Sequence, residues 1–127
     1  MSDAGWTILF AVAAGFNFAV GLPMLLAPDQ MVAALGIAPQ PTLLFVQFTG
    51  GLVAIFGLYY GVVARDLARR EIVLLGIVGK LFAVGMLSAY FLAGLIPALA
   101  YSLGLGDLVF VCLFLWFLFG RRKQPAK

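Results

Sequence analysis

The chain has 127 residues, 65% of them hydrophobic and 10% charged, with a net charge of +3. That apolar share exceeds the ~45 to 50% of soluble domains, and the mean hydropathy is +1.14, so the composition excludes a water-soluble globule and points to a bilayer. With no histidine and one cysteine, Cys112, neither an internal disulfide nor a Cys/His metal site can be built, and no metal or cofactor is expected.

A spanning helix needs about 20 mostly apolar residues. Four such stretches occur, at about 5–27, 42–64, 72–94 and 98–120, and they leave little for a soluble portion. The apolar runs are continuous rather than alternating, which argues against a β-barrel. The expected architecture is therefore all-α, a single transmembrane domain over residues 1–127 built as a four-helix bundle.

The first stretch is expected to remain as a membrane span. Its flank, Met1 to Gly5, carries Asp3 and no Lys or Arg, and its apolar run exceeds that of a secretory signal. Asn17 is its one strongly polar residue and shares a helical face with Ala14 and Gly21, so that face should meet protein. Pro28 ends the span. The following Asp29, Met31, Val32, Leu35 and Gly36 predict a short amphipathic helix on the outer surface, with Pro in its first turn and Gly at its end. Nothing catalytic lies on it, and a connector resting on headgroups explains it better than a lid.

Pro39-Gln40-Pro41 leads into the second span, where Gln47, Gly50, Ala54, Gly57 and Gly61 follow helical spacing. Small residues let helix backbones approach closely in lipid, and Gly57-x-x-x-Gly61 has the spacing for it, either within one bundle or between copies. Arg65 to Glu71 is the one polar inner loop, in which Asp66 and Arg70 would pair at i, i+4 if the helices extended into it.

The third span presents Gly76, Gly79, Lys80 and Ala83 along one stripe. A lysine there is costly unless the protein interior receives it, and Asp107 of the fourth span is the expected partner. Gly94 to Pro97 predicts a tight turn buried at the outer interface. In the fourth span Ala100, Gly104, Asp107 and Val111 share a face, while Phe110, Phe114, Trp116, Phe117 and Phe119 are expected to face lipid or a partner subunit. Gly104-Leu105-Gly106-Asp107 also resembles a break and an N-cap, but a helix from Asp107 to Gly120 would be only about 21 Å long, short of a ~30 Å hydrocarbon core. The longer helix is the preferred reading.

Seven of the eight basic residues fall in two groups: Arg65, Arg69 and Arg70, then Arg121, Arg122, Lys123 and Lys127. An even number of spans puts both groups on one side, and the positive-inside rule makes it cytoplasmic, with both termini inside and the protein in a cell's inner (cytoplasmic) membrane. Trp6, Tyr59, Tyr60 and Trp116 are expected at the inner headgroup level, and Tyr90 and Tyr101 at the outer. The positive charge is thus a topology and lipid signal, and no nucleic-acid partner is expected.

Each span therefore carries one strong polar residue: Asn17, Gln47, Lys80 and Asp107. Counted from the assumed inner edges they lie about 18, 25, 13 and 20 Å deep, which allows a central polar cluster. Helical side chains lean toward their own N-terminus, and this draws Lys80 and Asp107 apart. Three readings stay open: a structural ion pair, a lysine snorkelling to the inner face, and an ion or substrate site. Catalytic residues are not expected. Gly76 to Lys80 lacks Walker spacing, no carboxylates are paired for acid and base work, and no serine has a histidine base.

The run Gly21-Leu22-Pro23 to Pro28, followed by Gly50-Gly51 and Gly57-Leu58, resembles the DoxX-like group of small four-helix membrane proteins over the architecture of nearly the whole chain. That resemblance implies an accessory role beside a membrane oxidoreductase and supplies no catalytic residue. Two functions are open. One is an accessory or scaffold subunit, a compact bundle with helix packing through Gly50, Gly57, Gly61, Gly76, Gly79 and Gly104 that stabilises a larger membrane assembly or associates with copies of itself. The other is a carrier or channel subunit for a proton, ion or small polar solute, using the Lys80 and Asp107 pair.

Overall fold

The computed structural model describes residues 1–121; Arg122, Lys123 and Lys127 of the basic cluster lie outside the described residues. The described residues form five helices: α1 (Asp3–Leu26), α2 (Pro28–Ala34), α3 (Leu44–Arg65), α4 (Arg70–Leu92) and α5 (Ala98–Gly120). All but α2 are long and apolar enough to cross a membrane. The protein is a small multi-pass membrane protein, and the expected spans differ from these helices by only a few residues.

The ends of the helices obey local chemistry. Ser2 caps α1 by accepting a hydrogen bond from the Gly5 N–H (3.1 Å), and Pro28 opens α2 where no intrahelical donor is needed. Gly94 (φ 75°) stops α4: its left-handed backbone lets the Leu95 N–H reach the Tyr90 carbonyl at 2.9 Å, while its own N–H donates to the Phe91 carbonyl at 3.0 Å. Those two bonds close the expected tight turn locally. The α5 helix runs unbroken through Gly104 and Gly106, so Asp107 stands mid-helix and does not cap a shorter one.

Packing divides the bundle into two close pairs. Against α3, α1 packs through a seam of missing side chains. A Cβ on Gly21 would lie 2.6 Å from the Gly50 carbonyl oxygen and 2.7 Å from the Ala54 nitrogen, and one on Gly50 would lie 2.7 Å from the Gly21 carbonyl oxygen. Gly57 continues the seam beside Asn17 and Ala14, while Gly61, one turn on, meets nothing within 4 Å. The second pair is α4 and α5, where Gly104 seats Leu87.

Rings join the two pairs. Phe10 stacks on Phe114 at 5.1 Å, Trp6 meets Phe117 edge-on at 5.2 Å, and Tyr60 meets Phe114 at 5.1 Å. The stripe of Phe110, Phe114 and Phe117 is therefore core, contrary to the lipid-facing expectation. Its 107, 110, 114, 117 spacing places it on the same protein-facing side as Asp107. Only Trp116 and Phe119 of that group turn outward. Trp6 and Tyr60 are likewise buried core residues rather than headgroup anchors.

An arginine clamp closes the end of the bundle where α1 starts and α5 finishes. Arg70 donates to the carbonyls of Arg121 (2.8 Å) and Leu118, filling acceptors left open at the C-terminus of α5. Arg121 donates to Asp3 at 3.1 Å and so ties α5 to the start of α1. Asp66 pairs with Arg69 at 3.1 Å, not with Arg70 as the i, i+4 spacing suggested, because the helix stops at Arg65 and Arg70 turns to α5.

Candidate functional site

A cavity of about 570 Å³ occupies the half of the bundle away from the arginine clamp. Its walls are almost wholly apolar, with Val20 and Met24 from α1, Val53 from α3, Ala83 from α4 and Leu103 from α5. The rim is marked by lining residues that are also exposed, Leu52 on α3 with Phe82 and Met86 on α4, so the mouth opens sideways between α3 and α4. In a bilayer that mouth faces lipid. Toward the clamp the aromatic core shuts the cavity.

Asn17, Lys80 and Asp107 meet at the closed end. The Lys80 ammonium donates to Asp107 Oδ1 at 2.6 Å and to Asn17 Oδ1 at 3.2 Å. Asn17 in turn donates through Nδ2 to the Val53 carbonyl at 3.0 Å, which fixes which end of its amide faces the lysine. Three helices besides α4 thus take part in holding one cation. Lys80 is 5% exposed, so it is not snorkelled.

The ammonium also sits inside a cage of rings. Its Nζ lies 5.4 Å from the ring centres of Phe16 and Tyr60 and 5.3 Å from that of Phe110. Rings at this range stabilise a desolvated cation by about 0.5 to 2 kcal/mol each. Gly76 makes room for one of them, since a Cβ there would lie 2.7 Å from the Tyr60 ring. Gly79 is not needed in this way, since a Cβ there would meet the Phe56 ring, outside the cage, at an ordinary contact distance of 3.4 Å.

The lean of the side chains does not keep Lys80 and Asp107 apart. At 1.5 Å per residue, Lys80 stands about 15 Å from the Arg70 end of α4 and Asp107 about 20 Å from the Gly120 end of α5, an offset the four-carbon lysine stem spans. Gln47 stands elsewhere. It lies in the first turn of α3 and donates to the Leu25 carbonyl at 3.1 Å, filling one of the acceptors left at the end of α1. The polar contact therefore has three members and not four.

Comparison with known protein families, curated proteins and solved structures returns no match. The site has to be read from its own chemistry. Among the described residues no group of His, Cys, Asp or Glu has metal-ligand spacing. What the arrangement offers is an apolar chamber with one ion pair at its end.

The sequence points to the ion pair and to Asn17 but not to the ring cage or the chamber. Phe110 stands one turn from Asp107, Phe16 is next to Asn17, and Tyr60 comes one turn after Gly57. Those spacings are the available signal.

Proposed function

We propose that this protein is a membrane-embedded binding unit that takes a small molecule from the lipid phase into the chamber and holds its polar end at Lys80, Asp107 and Asn17. One observation carries the reading: a cavity within the ~300 to 1,000 Å³ range of small-molecule sites ends on a buried, hydrogen-bonded ion pair. Apolar walls give a bare ion nothing to replace its hydration, so a solute with an apolar body fits better than a proton or ion path. On the reading that the basic residues mark the cytoplasmic side of an inner membrane, with both termini there, the cavity opens in the outer half.

The test is solvent extraction of the purified protein. Wild type should yield a small molecule in a fixed ratio to protein, and Ala83→Trp, which fills the chamber wall, should yield none of it. Equal yields from both would mean that only annular lipid was recovered, and the reading would fall.

A second reading, the accessory subunit, is favoured by Gly15, Gly51, Gly61 and Gly85, which have nothing within 4 Å and leave bare helix surface for another membrane helix. Stoichiometric foreign subunits after purification in mild detergent would support it.

A further inference from the structure

Two hydrogen-bonding positions at the cavity end are left over. An ammonium has three donors, and Asp107 and Asn17 take two of those on Lys80. No acceptor among the described residues takes the third. The other carboxylate oxygen of Asp107, Oδ2, accepts from none of the described residues; the side chain is 18% exposed, and Asp107 lines the cavity. The site thus presents a donor beside an acceptor.

Charge restricts the occupant further. Lys80 and Asp107 cancel, so the closed end is neutral overall. A carboxylate or phosphate brought there would leave a net negative charge in apolar surroundings, and an amine a net positive one. Either is costly. A pure hydrocarbon fills the walls but leaves both polar positions unanswered.

We propose that the chamber takes a neutral single-chain amphiphile whose head both accepts and donates a hydrogen bond, a long-chain alcohol or primary amide, with the head between Lys80 Nζ and Asp107 Oδ2. This rests on the small-molecule-binding reading above and specifies its ligand class. The tail lies along Val20 and Met24, about 10 Å of wall beyond Asn17 at 1.5 Å per residue, and leaves between α3 and α4 past Phe82 and Met86. Sideways entry suits such a ligand, since it dissolves in the bilayer and never has to cross water.

The experiment measures saturable retention of tritium-labelled 1-dodecanol by the full chain in lipid nanodiscs, with unlabelled competitors of matched tail. Dodecanamide should displace the label, while dodecane, dodecanoate and dodecylammonium should be at least about tenfold weaker. The double variant Lys80→Met/Asp107→Leu, which keeps volume and removes both charges together, should stay folded and bind about tenfold less tightly.

Displacement by dodecane as effective as by dodecanamide, or unchanged binding by the double variant, would overturn the head-group assignment and leave the chamber as a binding site. Stronger displacement by dodecanoate would overturn it in favour of an anion. Absence of saturable retention also overturns it, and the small-molecule reading falls with it only if the solvent extract of wild type is empty as well.

Discussion

Lys80 and Asp107 meet at 2.6 Å across α4 and α5, and the same ammonium is held by Asn17 of α1 at 3.2 Å. A buried pair of this kind is a weak source of net stability but a large liability when half of it is removed. Lys80→Ala or Asp107→Ala should therefore cost about 3 to 5 kcal/mol, while Lys80→Met/Asp107→Leu recovers most of that loss. Reversible unfolding in mixed micelles measures the cycle. Single variants as stable as wild type would mean that the contact is not formed in the membrane.

The α1–α3 seam predicts a sharp contrast between neighbouring glycines. At Gly50 an added Cβ meets backbone of α1 below 3 Å, and at Gly51 it meets nothing within 4 Å. Gly50→Ala should lower stability by about 1 to 3 kcal/mol through overpacking, and Gly51→Ala should raise it by up to about 1 kcal/mol through helix propensity. The same unfolding assay reads both, and equal effects would contradict the seam.

Arg70 predicts a geometric rather than an electrostatic requirement. Its guanidinium serves two carbonyls at once, which a lysine ammonium on a flexible stem cannot reproduce as a fork. Arg70→Lys should lose about 1 to 3 kcal/mol and speed amide hydrogen exchange in the last turn of α5, leaving α1 and α3 protected. Uniform exchange throughout the bundle would show that the clamp does not act locally.

The cage predicts an effect from one methyl group. Gly76→Ala places a Cβ against the Tyr60 ring, which must then move from Lys80 or push α3 from α4. Tyr60→Phe keeps the ring and removes only the hydroxyl. The first should cost about 1 to 3 kcal/mol, and the second should stay within about 1 kcal/mol of wild type. A reversed order would give the hydroxyl, not the ring, the main role beside the lysine.

Features that belong to a single helix are legible in the sequence. The four spans are continuous apolar runs, and Lys80 on a glycine stripe demands an acceptor inside the bundle. Features that depend on how helices stand beside one another are not. Bulk without small residues suggests a lipid face for Phe110, Phe114 and Phe117, although the same period that carries Asp107 inward carries these rings inward too. Counting from an assumed membrane edge puts Gln47 in the middle of the bilayer, yet α3 begins only three residues before it. The chamber has no sequence signal at all, because it is the space left where the α1/α3 and α4/α5 pairs, joined by rings at one end, do not fill the other.

On the function proposed above, the chamber holds a small molecule at the Lys80–Asp107 pair. The most direct measurement is the mass of the intact protein released from its native membrane in mild detergent. An occupied chamber predicts a species one small molecule heavier than the chain, lost in Ala83→Trp and reduced in Lys80→Met/Asp107→Leu. A bare chain, or one whose only added mass is foreign subunits and is the same in all three proteins, would contradict it.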